Sequence, residues 1–165
     1  MLVVPYDPLW PREFEAEADR IERGLAGLPI QLEHMGSTSV PGLSAKPVID
    51  ILAGVPSRAR REPYIAAMRA LGYEHLGAYG LPGRDYFRRG SPRTHHVHMV
   101  DETSALWNDS LMFRDFLRAS PETAREYDAL KRELALTFAT EKNKYQDAKG
   151  PFIQSVLRRA RASRS

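Results

Sequence analysis

Three groups of residues have the types and spacing for chemistry on a phosphorylated ligand. The first lies between Leu32 and Gly54. There Gly36-Ser37 separates two apolar runs, and Asp50 interrupts the second, Val48-Ile49-Asp50-Ile51-Leu52. An ionised carboxylate inside a buried strand is costly unless a cation, a basic side chain or a set of donors pairs it. A glycine lets backbone pass close to a ligand, and hydroxyls and amides in a tight turn can hold an oxyanion. Gly36, Ser37 and Thr38 are the candidates for that role. The second group is His96 and His98, which share one face of a strand while His95 points the other way. A strand His-x-His can offer two imidazoles to one metal. With Asp50 and Glu33 on neighbouring strands, these residues would surround a divalent ion, provided the register aligns them. Mixed imidazole and carboxylate ligands favour zinc, nickel or manganese over magnesium, and the choice among magnesium, manganese and zinc stays open. Asp50 and His98 are the catalytic candidates. The third group is basic. Lys46 precedes Asp50 by four residues, and Arg84, Arg88 and Arg93 flank the histidines, all within reach of phosphates. The plainer account is a tight turn between core strands, Asp50 in a salt bridge and histidines hydrogen-bonded at a sheet surface.

The elements that must position these groups follow from periodicity. Trp10, Phe14, Ala18, Ile21 and Leu25 form one helical stripe, with Pro11 suited to its first turn and Gly27 and Pro29 to its end. Ile30, Leu32 and His34 alternate as in a strand, and Val48 to Leu52 form a second. The segment from Thr38 to Lys46, containing Pro41-Gly42, reads as a loop or one short helical turn. A helix with Ile65, Met68 and Leu71 inward ends at Gly72. Residues 73–83 read as an irregular rim loop, and 84–89 with 93–100 as a hairpin around Gly90-Ser91-Pro92. Three helices follow, the second capped by Ser120 and opened by Pro121, the third starting after Gly150-Pro151. Tyr79 and Trp107 are aromatics able to stack on a base or to fill the core.

The stretch from Glu33 to Ile51 resembles the signature of the GrpB family, Glu-His-Ile-Gly-Ser-Thr-Ala-Val-Pro-Gly-Leu-x-Ala-Lys-Pro-Ile-Ile-Asp-Ile. The resemblance extends to Tyr6-Asp7-Pro8-Leu9-Trp10, Gly80 to Phe87, Arg93 to His98, Phe113 to Arg118, Tyr127 to Lys131 and Tyr145 to Lys149. It implies the nucleotidyltransferase superfamily, shared with DNA polymerase beta and aminoglycoside nucleotidyltransferases. That superfamily follows its Gly-Ser turn with Asp-apolar-Asp/Glu. Here Leu52 occupies the place of the second carboxylate, and two-metal chemistry needs several acids. Asp85, Asp101 and Glu102 are candidates for a third carboxylate. The superfamily's triphosphate-binding lysine points to Lys131, Lys142 or Lys149. Tyr145 and Lys149 repeat the family's Tyr-x-x-x-Lys pattern, four apart on a helix face. Members of the family also occur fused behind dephospho-coenzyme A kinase, where the domain is thought to assist folding.

The expected fold is therefore α/β, a nucleotidyltransferase-like mixed sheet of four or five strands with helices packed on it and a C-terminal helical extension. At 165 residues, with 42% hydrophobic and 27% charged residues, one domain over the whole chain is expected. The absence of cysteine excludes a disulfide framework and thiolate metal ligands. No apolar run approaches the roughly 18 residues of a membrane helix, and the opening Met1-Leu2-Val3-Val4 lacks a signal peptide's basic start. A cytoplasmic protein without membrane contact is expected. Net charge +3 does not argue for nucleic acid. The basic tail from Arg158 to Ser165 reads as a solvated helix end. Three functions stand at this stage: nucleotidyl transfer from a nucleotide, with Asp50 and a divalent metal; a non-catalytic ligand-binding or folding-assistance module, acting with dephospho-coenzyme A kinase; and metal-dependent phosphoester hydrolysis.

Overall fold

The computed structural model describes residues 3–163. Met1-Leu2 and the last two residues of the basic tail lie outside them. Five strands form one mixed sheet: β1 (Gln31–Met35), β2 (Ile49–Val55), β3 (Glu74–His75), β4 (Arg84–Arg89) and β5 (His95–Asp101), in the order β1-β2-β5-β4-β3. β2 and β5 run parallel; every other pair is antiparallel. Helices α1 (Trp10–Gly24) and α2 (Glu62–Ala70) cover one face. Helices α3 (Ala105–Ala119), α4 (Pro121–Thr137) and α5 (Lys142–Ala162) gather over part of the other.

Strand alternation decides what each face carries. Ile49, Ile51, Ala53 and Val55 of β2, with Val97, Met99 and Phe87, turn to α1 and α2 and join Trp10, Ile21, Leu25, Ile65 and Met68 in the main core. Burying one such aliphatic side chain contributes about 1.5–3 kcal/mol. The opposite face is mixed. Leu52 and Val100 pack on Trp107 of α3, and Asp50, His96, His98, Tyr86 and Arg84 share the remainder.

The turn after β1 is positioned by a separate apolar cluster. Val40 and Leu43 pack against Leu117, Ala124 and Tyr127, which ties the loop to α3 and α4. Ser104 Oγ accepts from Trp107 N at the start of α3, and Ser120 Oγ accepts from Thr123 N at the start of α4. The expected irregular segment at 73–83 includes the short strand β3. The expected start of the last helix is corrected: α5 begins at Lys142 and runs through Pro151. An interior proline costs about 3 kcal/mol, and packing of Tyr145 on one side of it and Val156, Leu157 and Ala160 on the other holds both halves in line. No helix of the described residues is long and apolar enough to cross a membrane.

Candidate functional site

The site begins at Gly36. Its φ of 73° is a left-handed conformation that glycine adopts without penalty, and it turns the chain from β1 into a short 3₁₀ turn, Ser37–Ser39. The turn passes directly over the Asp50 side chain, and a Cβ on Gly36 would lie 2.7 Å from Oδ2.

Asp50 pairs with His96 across the parallel β2–β5 ladder, so both side chains leave the same face. His98 Nε2 lies 3.1 Å and His96 Nδ1 3.5 Å from Asp50 Oδ1. Burial alone would push the Asp50 carboxyl up. The two imidazoles overcome this and hold it well below the usual carboxylate range. On its far side His98 Nδ1 receives a hydrogen bond from Arg84, at 3.1 Å. A guanidinium can only donate. Nδ1 must then be the acceptor, and Nε2 carries the proton given to Asp50. Of the two imidazoles, His98 is therefore held at both nitrogens, and His96 presents Nε2 without a hydrogen-bond partner among the described residues.

Ser37, Thr38, Lys46, Asp50, His96, Lys131, Tyr145 and Lys149 line one cavity of about 140 Å³. The expected phosphate-binding residues of the turn, the loop and α5 thus converge. Thr38 has its hydroxyl 2.8 Å from His34 Nε2, a buried ring stacked on Phe14. Lys131, from α4, is almost wholly buried and donates to Ser37 Oγ and the Ser44 carbonyl, both at 2.6 Å. Burial, followed by repulsion from Lys149, brings Lys131 down to about 8. Burial likewise brings Lys149 down to about 8, against the opposing pull of Asp50. Lys46 is also lowered, by burial first and then by Lys142. Three ammonium groups therefore face a cavity that holds a single carboxylate.

Other expected site residues are elsewhere. Glu33 is on the same face as Asp50 but opposite Leu52, and Met35 is the residue opposite Asp50. Arg114 takes the Glu33 carboxylate at 2.7 Å, so Glu33 does not join the imidazoles. Arg93 lies in the hairpin turn, bonded to the Gly90 carbonyl and Glu74, away from the cavity. Arg84 reaches the site only through His98. Leu52 is buried against Val100 and Trp107, where a second carboxylate would meet apolar groups. Asp85 and Asp101 leave the opposite face and are bonded to Arg58, and Glu102 accepts from Gln31. Trp107 is a core residue, in contact distance of Gly54. Among the described residues, no group of three His, Asp or Glu side chains is set out to hold a metal ion.

Solved structures share this architecture. GrpB from Enterococcus faecalis superposes with a TM-score of 0.86 at 37% identity, over 96% of each chain. The Cid1 poly(U) polymerase superposes with a TM-score of 0.56 at 13% identity, over 79% of this chain and 44% of that one, which identifies a nucleotidyltransferase-like fold. A UPF0157 protein of Pseudomonas aeruginosa is 39% identical over 98% of this chain and 68% of its own length. The GrpB protein family matches residues 1–159, and the chain belongs to that family.

Proposed function

We propose that the cavity binds the polyphosphate of a nucleoside triphosphate and that the protein transfers the nucleotidyl group to an acceptor hydroxyl. The observation that carries this reading is the convergence of Lys46, Lys131 and Lys149 on a cavity with Asp50 as its one carboxylate. Buried ammonium groups are costly, and an anionic ligand would offset that cost. A volume of about 140 Å³ is below the roughly 300–1,000 Å³ of whole-ligand pockets. It suits a chain of phosphates, with the nucleoside lying outside.

The residues do not fit a two-ion site, because Leu52 replaces the second carboxylate. They fit one ion brought in with the phosphates, since Mg²⁺ is commonly held by one or two carboxylates plus substrate oxygens. Asp50 would be its protein ligand, and the ion would neutralise charge on the leaving phosphates. The chain's own contribution is separate. Lys131 and Lys149 hold the β- and γ-phosphates. His98, fixed by Arg84, keeps Asp50 in place. His96 Nε2 takes the acceptor's proton as the acceptor oxygen bonds to the α-phosphorus. The bond from the α-phosphorus to the bridging oxygen breaks, and pyrophosphate leaves with its electrons.

The test is incubation with each nucleoside triphosphate, magnesium or manganese, and a mixture of candidate acceptors. Pyrophosphate release that Asp50→Asn abolishes is the expected result. Release of orthophosphate in its place would favour the hydrolase. Neither product, together with no thermal protection by triphosphates, would end the proposal.

A further inference from the structure

The cavity accounts for phosphates but leaves the ring of a nucleoside without a seat. Across β5 from the lysines, the same sheet face carries Tyr86 and, above it, the loop between β3 and β4. Among the described residues four large hydrophobic side chains are exposed, and two of them, Tyr79 at 59% and Leu81 at 39%, belong to this loop.

Tyr79 is held deliberately. Its φ is +49°, a conformation rare for a bulky side chain. Its ring stacks on Tyr86 at 5.2 Å with 22° between planes, and the Arg88 guanidinium lies 5.9 Å from its centre. Arg84 donates to the carbonyls of Ala78 and Tyr79, both at 3.0 Å, and its guanidinium covers the Tyr86 ring at 4.7 Å. The same Arg84 holds His98. Tyr86 in turn meets His98 and His96 at 5.2 and 5.5 Å. One arginine thus fixes both the backbone that carries the exposed ring and the imidazole beside Asp50. The Tyr79 ring rests on buried Tyr86 and still leaves the residue 59% exposed.

We propose that Tyr79, backed by Tyr86 and Arg88, is the stacking platform for a flat, nucleobase-type ring whose reacting group reaches Asp50 and His96. The ring belongs to the donor nucleotide or to a nucleoside acceptor. The inference rests on the phosphate reading of the cavity, and the two have separate probes.

Binding of inorganic tripolyphosphate, of the four common nucleosides and of their triphosphates is measured by calorimetry on the full chain. Removing one base–aromatic stack by alanine substitution costs about tenfold in affinity. Tyr79→Ala is expected to weaken the preferred nucleoside or triphosphate by about that factor and leave tripolyphosphate unchanged. Lys149→Met is expected to do the reverse to tripolyphosphate and spare the nucleoside. Tyr79→Gly should match the alanine variant in binding while melting higher than that variant, because glycine relieves the positive φ. Competition between a bound nucleoside and the triphosphate identifies the donor ring; simultaneous binding identifies the acceptor. Unchanged nucleoside and triphosphate affinity in Tyr79→Ala, with tripolyphosphate still dependent on Lys149, would overturn the platform and leave the cavity reading intact. Nucleoside binding without tripolyphosphate binding would do the opposite. No nucleoside or triphosphate binding overturns the platform as well.

Discussion

The Gly36 backbone crosses Asp50 so closely that a Cβ would lie 2.7 Å from the Asp50 Oδ2 atom and 3.0 Å from its Cβ. Gly42 offers a control, since its φ is also positive, at 85°, but nothing lies within 4 Å of its Cβ position. An alanine in the left-handed region costs about 1–2 kcal/mol by itself. Gly42→Ala should lose that amount in urea denaturation. Gly36→Ala should lose at least about 1 kcal/mol more, because a ψ of −171° at positive φ is a backbone state nearly reserved for glycine and because the carboxylate cannot yield without leaving His96 and His98. Equal losses would show that the turn does not constrain Asp50.

That closeness was only half legible in the sequence. Alternation places Asp50, His96 and His98 on predictable faces of their own strands, and the turn is visible in Gly36-Ser37. Register is not visible, because nothing in the local pattern says that Met35, not Glu33, stands opposite Asp50. Arg93 shares a basic cluster with Arg84 in the sequence, yet the hairpin turn directs it to Glu74. Lys131 is one of three helix lysines the resemblance offers, and nothing local separates it from Lys142. The burial of Lys131 depends on how α4 lies over the loop after Gly36, which is decided by Val40, Leu43 and Tyr127 from distant parts of the chain. Pro151 signalled a helix start, and long-range packing of α5 overrode it.

The lysines give the cavity a pH dependence. Lys131 and Lys149 titrate near 8, so both are charged at pH 7 and lose their charge as pH rises past that point. Tripolyphosphate affinity should be highest at or below pH 7 and fall roughly tenfold or more between pH 7 and 9. Isothermal titration across that range is the measurement. A flat profile would place the anion elsewhere.

Those charges also burden the fold. A lysine whose folded value is depressed below its ordinary 10.5 disfavours its own charged form in the native state. Lys149→Met should therefore raise stability at pH 7 by about 1 kcal/mol, allowing for partial solvent screening. The gain should shrink as pH rises from about 8 towards 10.5, where the parent's lysine is neutral when folded and still charged when unfolded. A variant less stable than the parent at pH 7 would mean that Lys149 is paired more strongly than its surroundings indicate.

His34 governs the acid side. Burial, followed by the charge of Arg118, pushes its imidazole down to about 4 from 6.5. The unfolded chain binds this proton first, so the native state keeps its full stability above pH 6.5 and loses it as pH falls towards 4. The loss approaches about 3 kcal/mol from this one group. His34→Gln should be less stable at pH 7.5, through poorer stacking on Phe14, but should show a shallower decline between pH 6.5 and 4. Parallel curves for the two proteins would remove His34 as the cause.

The two imidazoles at Asp50 should differ in which nitrogen carries the proton. Both approach the same oxygen, but from opposite ring positions: His98 through Nε2 at 3.1 Å, His96 through Nδ1 at 3.5 Å. The carboxylate accepts only, so the bonded Nε2 of His98 must donate to it, and the more distant Nδ1 of His96 is the nitrogen on which it favours a proton. Arg84 enforces the same assignment on His98 from the other side. Nitrogen-resolved NMR of the neutral rings should find the proton on Nε2 in His98 and on Nδ1 in His96. In Arg84→Leu, His98 should lose this fixed preference while His96 keeps its own. If both rings carry the proton on Nε2, Nδ1 of His96 does not donate to Asp50, and the nitrogen proposed to receive the acceptor's proton is already occupied.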